Sequence, residues 1–134
     1  MVNVIIKGGA GQGVQLVGSV LANVMKDSNY NIALTRKYSA LMRSGKSSVS
    51  LAVSEKKIEN PIIEKPDFEF DMEDKELQAG LLKMCNNPKV INMVLLGKIF
   101  RKLEAKIDNE QIKKYLPSKF LDENLAAIKM GYES

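Results

Sequence analysis

The spacing of apolar and polar residues along this chain predicts strands, with one helix between the first two, before about residue 74, and almost only helices after it. A β-branched run over 2–7 ends at two glycines and predicts a buried strand. Further strands are predicted near 30–35 and over 47–54, where small polar and apolar residues alternate with a period of two. The acidic stretch around 67–76 predicts a weak strand at best. Helical spacing follows and predicts helices near 74–84, 90–105, 108–115 and 118–130.

The segment between the first two strands predicts an amphipathic helix over about 12–27. Its apolar residues recur at helical spacing and would form one stripe, made of Val14, Val17, Val20, Leu21, Val24 and Met25. A strand, a glycine turn, a helix and a strand in this order are typical of the opening of a parallel α/β sheet. We therefore expect a single domain over residues 1–134, with a three-layer, Rossmann-like α/β fold, a mostly parallel or mixed sheet and a helical C-terminal half.

Candidate helix caps and the lone thiol add detail to the second half. Asp108 and Ser118 are predicted N-caps, because their short side chains can accept hydrogen bonds from the first turn of a helix. Gly131 is a predicted C-cap. Cys85 lies on a predicted amphipathic helix, and we expect it in the core.

The counts of reactive side chains exclude several kinds of site. The 134 residues include no His, no Trp and one Cys. This excludes Ser-His-Asp and Cys-His triads, His-ligated zinc and any iron–sulfur cluster that needs four cysteines from this chain. Neither catalytic nor metal-ligating residues are expected. A single Cys also favours a reducing cytoplasm, and no apolar run approaches the ~20 residues of a membrane span.

Charge falls into three blocks along the chain. Residues 1–57 carry 8 basic and 2 acidic groups, 58–76 carry 2 and 8, and the remainder carries 10 and 6. An acidic block between two basic ones does not indicate nucleic-acid binding, which favours contiguous basic groups beside aromatic residues. Seven carboxylates between Glu64 and Glu76, with no His nearby, are more typical of a solvated or partner-facing surface than of a catalytic or metal site.

A glycine-rich turn over residues 8–13 lies where the first strand meets the first helix. Backbone N–H groups there would be exposed at the positive end of the helix dipole, which suits a phosphate. The turn does not complete the dinucleotide-binding pattern, because position 10 is Ala. The alternative is a tight connection that needs small residues for steric reasons alone. The candidate cofactor-binding residues are Gly9, Gly11, Gln12 and Gly13.

The loop between the second and third strands, up to residue 46, is rich in cations and has no helical face. Arg36 lies where an NAD site has an acidic residue that binds the ribose. An arginine there argues against NAD but would tolerate a 2′-phosphate. Residues 40–47 resemble a P-loop, but a P-loop opens a helix and this stretch runs into a predicted strand, so we reject that match. Cations in the loop predict a contact surface for a partner subunit or for the phosphates of a CoA-like ligand, the alternative being a solvated loop. They are Arg36, Lys37, Arg43 and Lys46.

Two spaced motifs and the C-terminal stretch resemble the gamma-subunit domain of the 2-oxoacid:ferredoxin (acceptor) oxidoreductases, of the pyruvate, 2-oxoglutarate, ketoisovalerate or indolepyruvate type. The family pattern G-x-G-G-Q-G is similar to residues 8–13, with Ala10 in place of a glycine. A family loop, Tyr-Gly-Pro-Glu-x-Arg-Gly-Gly, is similar to the stretch that contains Tyr38, Arg43 and Gly45. Shorter similar stretches lie at 58–61, 66–67, 92–97 and 124–132. The chain is shorter than the family pattern in the middle, between about 67 and 86.

By this resemblance, the whole enzyme oxidatively decarboxylates a 2-oxoacid with thiamine diphosphate, forms an acyl-CoA and passes electrons through iron–sulfur clusters to ferredoxin. The resemblance implies a non-redox subunit that is not catalytic alone and binds none of these cofactors by itself. It implies alpha and beta subunits as partners, with a delta subunit as a further candidate, and an interface or ligand loop that includes Arg36, Tyr38, Arg43 and Gly45.

Two other interpretations stay open at this stage. One is a stand-alone nucleotide-binding regulatory module that uses the glycine turn and Arg36. The other is a structural paralogue without activity, because the second motif has lost several of its small and acidic positions.

Overall fold

The computed structural model describes residues 1–9, 11–38, 46–58 and 65–134. These residues form two compact units, residues 1–73 and residues 74–134. The strands lie in the first unit, and the second is helical. The expectation of a single domain over residues 1–134 stays a prediction.

The first unit is built on a mixed sheet in the order β2-β3-β1-β4. β1 is parallel to β4 and antiparallel to β3, which is also antiparallel to β2. The α/β class and the mixed sheet are confirmed. β1 and β2 run in the same direction, as the opening of a parallel sheet requires, but β3 lies between them. The strands are β1 (Val2–Gly8), β2 (Asn31–Tyr38), β3 (Ser47–Ser54) and β4 (Phe68–Asp71).

Helix α1 (Val14–Asp27) packs its apolar stripe against the sheet. Each of the six residues predicted for the stripe is buried. Gly18 brings the helix close to β3, since a β-carbon at Gly18 would meet the side chain of Val49. The helix predicted from the apolar stripe, over about 12–27, is therefore confirmed.

Strand β3 alternates as its sequence predicts, except that Ala52 is buried as well. Val49, Leu51 and Val53 are buried on the face that packs against α1, whereas Ser48 and Ser50 lie on the other face. Because residues 47–54 are a strand and not a helix, rejection of the P-loop match is confirmed.

The second unit contains helices joined by short connections. α3 and α5 cross closely, because a β-carbon at Gly97 would overlap the carbonyl oxygen of Ile128, and one at Gly131 would overlap that of Val94. Only glycine lets two helix backbones come so near. The elements are α2 (Lys75–Cys85), a 3₁₀ turn (Pro88–Val90), α3 (Ile91–Lys102), α4 (Asn109–Lys113) and α5 (Leu121–Glu133).

The caps of these helices agree with the sequence in one case of three. The Asp108 carboxylate accepts a hydrogen bond from the Glu110 N–H at 3.0 Å, which confirms it as the N-cap of α4. Ser118 is not a cap, because α5 begins after Phe120, whose backbone is left-handed at φ 60°. Gly131 is not a C-cap either, since it lies inside α5 where the crossing with α3 leaves no room for a side chain.

Cys85 was expected in the core but is only half-buried. Its sulfur lies within hydrogen-bond distance of the carbonyl oxygens of Leu81 (3.5 Å) and Asn87 (3.4 Å), either of which can accept its one S–H. The helix that carries it ends at Asn86, an exposed residue in the left-handed conformation at φ 52°. Among the helices of the described ranges, none combines the length and the apolar character of a membrane span; the cytoplasmic location stays a prediction.

Candidate functional site

A cleft of ≈ 510 Å³ lies in the first unit, at the edge of the sheet where β1, β2 and β4 end and β3 begins. In open α/β sheets, ligands bind outside the carboxyl ends of parallel strands, so this edge is the candidate site. Its lining combines three lysines, two serines and two carboxylates with Gly8. The charged members are Lys7, Lys37, Lys46, Asp71 and Glu73.

The glycine turn that follows β1 lies at the same edge and is closed by Gln12. The side-chain oxygen of Gln12 accepts from the Gly9 N–H at 2.6 Å, and its amide nitrogen donates to the Met72 carbonyl oxygen at 3.0 Å. The Gln12 backbone N–H donates to the Gly9 carbonyl oxygen at 3.3 Å. Gln12 therefore ties the turn both to itself and to the residue after β4.

Two glycines of the turn adopt backbone conformations that other residues disfavour. Gly11 has φ 79° and Gly13 has φ 70°, both in the left-handed region. Because the N–H groups of Gly9 and Gln12 are used within the protein, the described part of the turn favours the tight-connection interpretation over an open phosphate cradle. A cofactor-binding role for Gly9, Gly11, Gln12 and Gly13 stays a prediction, although the structure does bring these residues together.

Arg36 connects β2 with α1 through two side-chain hydrogen bonds. Its guanidinium donates to the Gln15 side-chain oxygen at 2.8 Å and to the Ser19 hydroxyl at 2.7 Å. Arg36 pairs with Val49 across the sheet and so lies on the helix face, whereas the next residue, Lys37, lies on the opposite face and lines the cleft. These two hydrogen bonds use N–H groups of the guanidinium that a 2′-phosphate would otherwise contact.

The rest of the predicted loop is only partly described. Tyr38 is the last residue of β2, and its backbone pairs with that of Ser47 in β3. Arg43 and Gly45 lie outside the described residues, so their assignment to an interface or ligand loop stays a prediction. Lys46 is described and contributes to the cleft.

Ion pairs connect the cleft lysines with the acidic block. Lys7 Nζ lies 2.6 Å from a Glu69 oxygen, and Lys46 Nζ lies 3.2 Å from a Glu73 oxygen. The hydrogen bond and the charge of Glu69, with a smaller contribution from the Asp71 charge, raise the pKa of Lys7 above its ordinary value, so this lysine is cationic at neutral pH. In the described ranges, no group of three or more His, Cys, Asp or Glu side chains could hold a metal ion.

Lys7, Asp71 and Glu73 were not identified as site residues from the sequence. Lys7 and Asp71 face each other across the β1–β4 ladder, so their proximity depends on the register of two distant segments. The available signal was a charged residue at the end of each strand. This signal did not identify the site, because the sequence over 67–76 predicted only a weak strand and so did not show where β4 ends.

Residues 3–85 match the family model described as pyruvate ferredoxin/flavodoxin oxidoreductase. The match covers more than half of the chain, and the chain therefore belongs to this family. A comparison with curated protein sequences finds no significant match.

Solved structures share the fold. The gamma subunit of a keto/oxoacid ferredoxin oxidoreductase from Geobacter sulfurreducens has a TM-score of 0.68 at 16% identity, covering 99% of this chain and 97% of that one. Pyruvate oxidoreductase subunit PORC from Thermotoga maritima has a TM-score of 0.66 at 17% identity, covering 99% and 96%. A 2-oxoglutarate:ferredoxin oxidoreductase from Magnetococcus marinus, with 2-oxoglutarate, coenzyme A and succinyl-CoA bound, has a TM-score of 0.75 at 17% identity. This chain is covered over 98% of its length and spans 30% of the Magnetococcus chain. The resemblance noted in the sequence is confirmed for family and fold.

Proposed function

We propose that this chain is the non-redox gamma subunit of a 2-oxoacid:acceptor oxidoreductase complex and packs against the subunits that bind thiamine diphosphate. In this proposal, the complex oxidatively decarboxylates a 2-oxoacid, forms an acyl-CoA and passes the electrons to ferredoxin. The observation that carries the proposal is the family match over residues 3–85. It is supported by a fold similar to that of a gamma subunit over nearly the whole of both chains.

The cofactors of the reaction are assigned to the partner subunits. A chain with one Cys and no His cannot supply four thiolates to an iron–sulfur cluster, nor an imidazole base or ligand. Following the family resemblance, we propose that alpha and beta subunits bind thiamine diphosphate and the clusters, with a delta subunit as a further candidate.

For this chain we propose a contact with coenzyme A at the cleft. Coenzyme A carries several phosphate charges, and Lys7, Lys37 and Lys46 converge at one edge of the sheet. Cations grouped in a concave site raise the local concentration of an anionic ligand and orient it. Serine hydroxyls at the start of β3, on Ser47 and Ser48, add hydrogen-bond donors beside the lysines.

The alternative of a stand-alone nucleotide-binding module gains no support from the described contacts. It depends on the glycine turn and on Arg36. The turn uses the N–H groups of Gly9 and Gln12 internally, and Arg36 is held by Gln15 and Ser19.

The proposal predicts that the purified chain alone does not oxidise any 2-oxoacid, even with coenzyme A and thiamine diphosphate added. The reason is chemical, since the chain has no His and only one Cys, too few ligands for a redox centre of its own. The measurement is 2-oxoacid-dependent reduction of ferredoxin by the chain alone, by the partner subunits alone and by the mixture. We expect activity in the mixture only; turnover by the isolated chain would contradict the subunit assignment.

A further inference from the structure

One carboxylate of the cleft, that of Glu73, lies where an anionic ligand would be expected. One of its oxygens is 3.2 Å from Lys46 Nζ. Its other oxygen borders the glycine turn, because a β-carbon added at Gly9 would lie 2.7 Å from it. Glu73 thus places a negative charge beside the glycine turn and at Lys46, the cation that a phosphate in this cleft would contact.

The backbone around Glu73 is anchored, so the carboxylate is not placed there by a flexible side chain alone. The Glu73 N–H donates to the Asp71 carboxylate at 2.9 Å. The preceding carbonyl oxygen, that of Met72, accepts from the Gln12 side chain at 3.0 Å. The segment that carries Glu73 is therefore fixed to β4 on one side and to the glycine turn on the other.

The ion pair itself is weak enough to be displaced. The side chains of Lys46 and Glu73 keep 48% and 37% of their surface exposed. Pairs exposed to this extent contribute little to stability, because water and salt screen them. A phosphate carries more charge than a carboxylate and more acceptor oxygens, so it can replace Glu73 at Lys46.

We propose that Glu73 is an internal counter-anion of the cleft, and that a phosphate-bearing ligand binds by displacing its carboxylate from Lys46. Glu73 then lowers the affinity of the cleft for anions and makes binding selective for ligands with enough charge to compete. The identity of the ligand as coenzyme A rests on the proposed function. The competition itself rests only on the geometry of Glu73, Lys46 and Gly9.

The test compares the full-length chain with its Glu73→Gln variant by titration calorimetry at low salt, with inorganic pyrophosphate and coenzyme A as separate probes. Removing one negative charge a few ångströms from the ligand should tighten pyrophosphate binding about 3–10-fold, and the gain should shrink as salt is added. Lys46→Met should weaken binding. Glu55→Gln is the matched control, since it makes the same change in charge just after β3, at the opposite end of that strand, and should bind like the unmodified chain.

Equal affinity of the Glu73→Gln variant and the unmodified chain for pyrophosphate would overturn the inference, as would undetectable binding by both. An equal gain in the Glu55→Gln control would also overturn it, because net charge alone would then explain the effect. A gain with pyrophosphate but not with coenzyme A would support the role of Glu73 and count against coenzyme A as the ligand. Membership of the oxidoreductase complex is tested separately, by the proteins that copurify with the chain.

Discussion

Replacing Gly97 by Ala should lower the free energy of unfolding by about 2–3 kcal/mol, because it forces apart two helices that meet backbone to backbone. The added β-carbon would overlap the Ile128 carbonyl oxygen and lie 2.8 Å from the Tyr132 nitrogen. Both are backbone atoms of α5 and cannot rotate away. α3 and α5 would have to separate, and the buried side chains beside the crossing would lose contacts.

Gly80 provides a matched control for this prediction. It lies on α2, and a β-carbon added there would meet no atom within 4 Å. Gly80→Ala should therefore raise the free energy of unfolding by about 0.5–1 kcal/mol, since alanine loses less conformational entropy in a helix than glycine does. Urea unfolding followed by circular dichroism measures both variants. Equal stability of the two would show that the close α3–α5 crossing is wrong.

Replacing Gly8 by Ala should lower the free energy of unfolding by about 1–3 kcal/mol and open the glycine turn. A β-carbon at Gly8 would collide with the Val14 side chain and lie 2.9 Å from the Gln12 side-chain oxygen. That oxygen is the acceptor for the Gly9 N–H, so the hydrogen bond that closes the turn would be disturbed as well. Loss of protection of the Gly9 amide against hydrogen exchange would report this local effect.

A second variant, Gly11→Ala, separates two effects on the free energy of unfolding: a steric clash and a left-handed backbone. A β-carbon at Gly11 would meet nothing within 4 Å, but its φ of 79° disfavours any side chain. Gly11→Ala should therefore cost about 1–2 kcal/mol through the left-handed backbone alone, without releasing the Gly9 amide. If Gly8→Ala left both stability and Gly9 protection unchanged, the packing described for the turn would be contradicted.

Local periodicity was sufficient to predict the elements whose burial follows a single face. The stripe on α1 and the alternation in β3 both depend on residues close in sequence, and both were confirmed. The order of the strands could not be predicted in this way. Nothing in the local pattern shows that β3 lies between β2 and β1, because the pairing of β3 with β1 joins segments distant in sequence.

The errors at helix ends have a related cause. Gly131 has the residue type of a C-cap, but a glycine is required there by the close approach of α3, whose Val94 carbonyl oxygen lies 37 positions earlier in the sequence. Phe120 begins α5 with a left-handed backbone, a conformation that its residue type does not predict. A tertiary contact determines the position of Gly131, and a single sequence does not show that contact.

Only part of the candidate site was predicted, because only part of it is contiguous in sequence. The glycine turn was identified because its residues are contiguous, whereas the cleft beside it combines residues from the ends of four strands. Lys7, Lys37 and Asp71 come together only through the register of the sheet. Gln12 was identified through the family motif, but its contacts with Gly9 and Met72 show a structural use of its side chain that the motif did not indicate.

Purification of the tagged chain from its native cells, followed by mass spectrometry of the proteins that accompany it, tests the central claim most directly. We predict that the thiamine-diphosphate-binding subunit of a 2-oxoacid oxidoreductase copurifies in equal amount, together with 2-oxoacid-dependent reduction of ferredoxin. A chain that purifies without such a subunit, while an active 2-oxoacid oxidoreductase isolated from the same cells lacks this chain, would contradict the assignment.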